Sequence, residues 1–216
     1  MNEIDYTKKE LFDGIGFIEF LVNERLSTSF SVVNFEKFCK ATHFILIQWS
    51  SHEYVGISLD NDFKYQYQKF FKAFAKYLKY IEENPMKTSI EEQEMLKNTM
   101  CEKGQIIYRY LSLVENQEIQ YNKYYVSWSF IKESYYLESK LYGNVYKLYS
   151  KISENNIGID LLGFFSFVDE TYELGIPCSI VNEKEVVYPT LKNDIFKIEK
   201  IREIKDFEEE EGNNFE

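Results

Sequence analysis

Residues 43–62 read HFILIQWSSHEYVGISLDND, and whether they pair with themselves decides how the first third of the chain folds. Phe44 to Trp49 and Tyr54 to Leu59 are apolar, β-branched and aromatic runs separated by a short polar segment, which is the pattern of a β-hairpin. With Ser51-His52 as the loop, Trp49 faces Tyr54, Leu46 faces Ile57 and Phe44 faces Leu59, so apolar meets apolar. That register predicts His52 in the turn and His43 at the far end, on the order of 25 Å apart. These are the two histidines of the chain, and no metal held by histidine is expected.

Asp60, Asn61 and Asp62 follow, residue types that cap a helix N-terminus. The next twenty residues, FKYQYQKFFKAFAKYLKYIE, carry the clearest helical signal in the chain. Phe63, Tyr67, Phe70, Phe74, Tyr77, Leu78 and Ile81 share one face at 3.6-residue spacing, and Asn84-Pro85 stops the run. Lys64, Lys69, Lys72, Lys76 and Lys79 lie on the opposite face. Residues 63–81 thus carry five positive charges, and setting them apart from the net charge of -11 leaves -16 for the rest. Such a stripe could meet phosphate, lipid headgroups or an acidic partner. The expectation is a solvated face neutralised by the protein's own carboxylates.

Upstream, Thr7-Lys-Lys-Glu10 has the spacing of a capping box, and Leu11, Ile15, Ile18 and Val22 form an apolar stripe behind it. Downstream, Ser89-Ile-Glu-Glu92 repeats the capping spacing ahead of Leu96, Met100, Ile107, Leu111 and Val114. Gly104 sits on that stripe. Either the helix runs through it, or it ends there and residues 105–115 form a strand. Tyr124 to Phe130 alternate as a half-buried strand, and Leu137, Leu141, Val145, Leu148 and Ile152 predict a helix. Ile159 to Val168, Tyr172 to Val181 and Val186 to Leu191 read as an antiparallel meander. Residues 194–201 alternate weakly like a strand, but Ile195, Ile198, Ile201, Ile204 and Phe207 repeat every three residues, which suits neither helix nor strand cleanly.

The expected fold class is therefore α+β: N-terminal helices with a β-hairpin, central amphipathic helices and a C-terminal antiparallel β-meander. Residues 1–205 are expected to form a single domain with a soft seam near 155. Residues 206–216, with six acids and no base, are expected to form a mobile acidic tail.

At 216 residues and 44% hydrophobic content, the chain can bury roughly 70% of its unfolded surface. Cys39, Cys101 and Cys178 are odd in number and outside any CxxC spacing, the usage of reduced thiols in a cytoplasm. The N-terminus MNEIDYTKKELFDG lacks a basic region followed by an apolar one, so a secretory signal is not expected. No run is long enough to span a bilayer. Net charge of -11 repels nucleic acid and anionic membranes and attracts a basic partner.

Phosphate loops of the GxxxxGK[ST] and GxGxxG kinds are absent, as are GxSxG and HExxH, and no cofactor is implied. The nearest approach to a catalytic set is Asp194 with Glu203 and Lys205, two carboxylates for Mg²⁺ and a lysine to orient water, as in a nuclease. An E-x-K triplet is common by chance in such a Glu- and Lys-rich chain. The expected function is a small acidic cytoplasmic protein, an inhibitor or immunity-type partner that binds a basic protein through charge and aromatic contacts. A carboxylate-dependent enzyme such as a nuclease is the first alternative. A nucleic-acid or membrane-surface binder using the lysine face is the second.

Overall fold

The computed structural model describes residues 3–28, 32–55, 61–113, 117–133 and 144–202, with main chain alone at 3–7, 32–33 and 51–55. Four helices come first: α1 (Glu3–Ser27), α2 (Val32–Val55), α3 (Asn61–Glu83) and, after a 3₁₀ turn at Pro85–Lys87, α4 (Ile90–Thr99). Strands β1 (Ile106–Leu113), β2 (Asn122–Ser129), β3 (Asn144–Lys151) and β4 (Ile159–Asp160) follow. Helices α5 (Leu161–Tyr172) and α6 (Cys178–Glu183) precede β5 (Glu185–Thr190) and β6 (Ile195–Arg202). The sheet runs β4-β5-β2-β1-β3-β6 and every strand pairing among the described residues is antiparallel. The α+β class, with helices leading and an antiparallel sheet following, is what the chain adopts.

The hairpin is corrected. Residues 44–55 belong to α2, a helix of 24 residues. Phe35, Phe38, Cys39, Thr42, Ile45, Leu46 and Trp49 are buried at three- and four-residue steps, while Ile47 and Phe44 add apolar surface on other sides. A helix packed on several sides loses its polar stripe, and a short apolar run then looks the same for helix and strand. The apolar-to-apolar register carried no information, since two apolar runs match in almost any register. No Gly, Pro or Asn breaks the run before Gly56. His43 and His52 stand nine residues apart on one helix, about 13.5 Å along the axis and on opposite sides of it. His43 is 8% exposed; its Nε2 lies 3.0 Å from the Gly175 carbonyl and its ring meets the Phe165 ring edge-on.

Helix α1 starts ahead of Thr7, so the Thr7–Glu10 spacing lies inside the helix rather than at its cap. Its stripe of Leu11, Ile15, Ile18 and Val22 is buried as read. Helix α3 matches its periodicity closely, burying Tyr67, Phe70, Phe71, Phe74, Tyr77, Leu78 and Ile81.

Three further segments differ from their sequence reading. Asn144–Lys151, expected within a helix, is β3, paired with β1 over the whole of both strands, from Ile106 opposite Lys151 to Leu113 opposite Asn144. Val145, Lys147, Leu148, Tyr149 and Ser150 are all buried, so both faces are covered and the polar alternation of a strand is absent. Ile159–Val168 is mostly helical, and Tyr172–Val181 holds the end of α5, a connection and the start of α6, instead of two strands of a meander. Asp160 caps α5 by accepting from the Gly163 N–H at 3.0 Å. A Cβ at Gly163 would stand 1.8 Å from the Asn98 carbonyl oxygen, so this glycine serves close packing of α5 on α4. Residues 106–113 and 195–202 are strands; α4 ends at Thr99 with Met100 extended after it, and Gly104, at φ +80°, lies in the turn that leads into β1. Asn155 and Asn156 lie in the turn between β3 and β4, and 203–216 lie outside the described residues.

The main core is aromatic. Phe38 packs against Phe74 and Tyr77 at 5.7 and 4.8 Å between ring centroids, and Phe74 against Phe164 at 5.4 Å. A second cluster around Ile107, Trp128, Leu148, Val186 and Tyr188 belongs to the sheet. Helices and sheet are joined by polar contacts. Trp49 Nε1 donates to the buried Glu185 carboxylate at 2.8 Å, and Ser127 Oγ donates to the same oxygen. Gln68 satisfies both main-chain groups of Tyr125, accepting from its N–H and donating to its carbonyl at 2.7 Å each. Tyr125 stands opposite Pro189, which has no N–H, and the ladder bulges there to turn Lys123 and Tyr124 outward.

Phe74 is fully buried and touches rings from three elements, so Phe74→Ala will cost about 3–5 kcal/mol in a urea titration. Phe20→Ala, at a 57% exposed position, will leave the midpoint nearly unchanged.

Candidate protein-interaction site at the turn between α3 and α4

Asn84-Pro85 ends α3, because proline can neither donate the helical hydrogen bond nor leave the residue before it in helical conformation. Three residues of 3₁₀ turn follow. Ser89 then opens α4 with a complete capping box: the Glu92 N–H donates to Ser89 Oγ at 3.2 Å and the Ser89 N–H donates to Glu92 Oε2 at 2.6 Å.

Glu92 has a second task. It is 3% exposed and receives a two-pronged ion pair from Arg25, itself 4% exposed, with Nε to Oε1 at 2.8 Å and Nη2 to Oε2 at 3.1 Å. Tyr77 of α3 donates to Oε1 at 2.5 Å. Arg25 Nη2 also donates to the Lys87 carbonyl at 2.6 Å, and the guanidinium stacks on Tyr80 with 5.2 Å to the ring centroid. One buried charge pair thus ties together the end of α1, the end of α3, the turn and the start of α4. Burial pushes the Glu92 carboxyl up, but bonds from Arg25, Tyr77 and Ser89 outweigh it and hold it below the ordinary carboxylate range. The bond to Glu92 raises Arg25 in turn, against the opposing effect of burial.

What this clamp displays is apolar. Met86 is 96% exposed and Ile90 78%, the two most exposed large apolar side chains among the described residues. Acids flank them along the chain: Glu82, Glu83 and Glu94 are exposed and Glu91 half-buried, with Lys87 the one base between residues 82 and 94. Glu24, next to Arg25, is also exposed. Two apolar knobs on a rigid turn, rimmed by carboxylates, have the composition of a contact centre inside a charged rim.

The residues singled out from sequence fall elsewhere. Lys64, Lys72, Lys76 and Lys79 are exposed on α3 and Lys69 is half-buried. Lys69 pairs with Glu19 of α1 at 2.7 Å and Lys79 with Glu83 at 3.7 Å, so the protein's own carboxylates take up part of the stripe. Two exposed rings join it: Tyr65, with Lys69 at 5.9 Å, and Tyr124 of β2, with Lys72 at 6.0 Å. Asp194 stands far along the chain in β5–β6 connection, its Oδ2 accepting from the Tyr188 hydroxyl at 2.5 Å; Ser153 donates its N–H to that hydroxyl at 3.0 Å. Glu203 and Lys205 lie outside the described residues. Among the described residues no group of three or more His, Cys, Asp and Glu could hold a metal ion, and no helix is long and apolar enough to cross a membrane.

The capping box was readable, but Met86 and Ile90 were missed. A signal existed: in Pro85-Met-Lys-Thr-Ser-Ile90 both apolar residues precede the stripe that α4 buries through Met95 and Thr99. No protein-family model, curated protein or solved structure matches this chain.

Removing one partner of the clamp leaves a buried charge, so Arg25→Met will cost about 3–5 kcal/mol. An unfolded glutamate titrates at about 4.3, and the folded Glu92 lies below its ordinary value. Its stabilisation is therefore complete above the unfolded pKa and lost as pH falls through the folded one. The gap in urea midpoint between wild type and Glu92→Gln will narrow steadily below that pH; a gap that widens would contradict the assignment.

Proposed function

We propose that this chain is a protein-binding protein of the inhibitor or immunity type, acting in the cytoplasm, and that it docks through the turn between α3 and α4. The observation that carries the reading is the near-complete exposure of Met86 and Ile90 on a turn held by a buried ion pair. Burying an exposed side chain of this size yields about 1.5–3 kcal/mol. A turn already fixed before binding adds little ordering cost.

The partner is a protein with a basic face around an apolar hollow. Exposed Glu82 and Glu94 match that face locally, and the net charge of -11 steers it from a distance. A nucleic acid is a poorer occupant. It would meet the lysine face of α3 but extend beyond it over a protein whose remainder carries -16, and Lys69 and Lys79 are already paired. Free thiols at Cys39, Cys101 and Cys178 suit a reducing compartment.

The immobilised chain, exposed to extract of its native host, is expected to capture a basic protein. With the captured protein purified, Met86→Asp/Ile90→Asp is expected to weaken binding at least tenfold while the circular dichroism spectrum and melting stay unchanged. Lys69→Glu/Lys72→Glu/Lys76→Glu is expected to leave it intact. Binding indifferent to the first variant, or nucleic-acid binding at physiological salt that the second abolishes, would overturn the reading.

A further inference from the structure

The two edges of the sheet differ in kind. At one end β4 has two residues, too short to accept a strand; at the other β6 has eight. Native sheets usually blunt long edges, because alternate residues turn their N–H and C=O groups outward. Strand β6 pairs with β3 on its inner side, with irregularities near Phe196 and Ile201, and between them Lys197, Ile198, Glu199 and Lys200 run in regular register opposite Tyr149, Leu148, Lys147 and Tyr146. The faces of the sheet also show apolar surface here: Ile198 within this stretch is 44% exposed, and Phe196 at the adjoining irregularity 53%.

We infer that β6 is a self-association edge, and that a second copy of this chain adds its own β6 antiparallel to the first. The charge pattern selects both the occupant and the register. Centring a two-fold on Ile198 brings Lys197 opposite Glu199 of the partner subunit and Glu199 opposite Lys197 of the partner subunit. Ile198, exposed in the single chain, then faces its own copy. Directly opposed side chains in an antiparallel pair share a face and interact at about 4.5–5.5 Å between Cβ atoms. Centring instead on Lys197, on Glu199 or on Lys200 opposes like charges, centring between Ile198 and Glu199 opposes Lys197 to Lys200, centring between Glu199 and Lys200 opposes Lys197 to Arg202, and centring between Lys197 and Ile198 forms no ion pair. Within one chain Lys197 already sits 2.9 Å from Glu199, and Glu199 accepts from Tyr149 at 2.6 Å. Both charges are therefore held on the face where the second pair would form. A closed, isologous contact of this kind stops at two copies.

Sedimentation equilibrium on the full chain, over a wide concentration range, is expected to give a monomer–dimer equilibrium. Lys197→Glu, which opposes Glu to Glu twice, is expected to weaken the dimer at least tenfold. Lys197→Glu/Glu199→Lys is expected to restore it, with circular dichroism and melting confirming that each variant is folded. A wild-type chain that stays monomeric at the highest concentration reached overturns the inference, as does a dimer that Lys197→Glu leaves untouched or that the double exchange fails to restore. Should Lys197→Glu not fold, Ile198→Lys, which opposes Lys to Lys at the two-fold, is read by the same measurement.

Discussion

The buried pair of Arg25 and Glu92 is the contact on which the arrangement of the helices depends. Four segments meet at it: the last turns of α1, distant in sequence, and, from one stretch of chain, Tyr77 and Tyr80 of α3, the Lys87 carbonyl and the capped start of α4. Each group has its partners, which is the condition for an ion pair at this depth to hold rather than to cost stability. The same carboxylate completes a helix cap and neutralises the guanidinium. Local helix geometry and long-range packing are thereby locked to one another.

That lock explains how an apolar turn stands in water without collapsing. Met86 and Ile90 have no inward route, since Pro85 and the capping box set the path of the chain and the Arg25 guanidinium holds the Lys87 carbonyl from inside. A flexible turn with the same side chains would lose conformational freedom on binding.

Charge is distributed unevenly across the molecule. The acids around Met86 and Ile90 form one pole. The lysines of α3 lie on another side, tempered by Glu19 and Glu83. Strands β1, β3 and β6 carry Arg109, Lys147, Lys151, Lys197, Lys200 and Arg202 against the one acid Glu199. Lys147 is buried there, bonded to the Lys132 carbonyl and Glu133 and lying over Tyr110 and Tyr149. A net charge of -11 thus describes the protein at long range but no single face of it.

The sequence by itself determined the elements whose two faces meet different surroundings. Helix α3 was legible because its Phe and Tyr face a core and its lysines face water, and β2 by the alternation along it; β5, although buried throughout, was legible by its β-branched composition alone. The cap at Ser89 was legible because its chemistry is local. Tertiary structure decided the elements that are covered on more than one side. Helix α2, helix α5 and strand β3 are apolar or buried around most of their surface, so periodicity had no polar face to report. The candidate site divided in the same way. Its cap was written in neighbouring residues, whereas the Arg25 partner lies 67 positions away, and an exposed Met86 reads in sequence like a buried one. Only packing, which removes some apolar side chains from water and leaves others in it, makes that distinction.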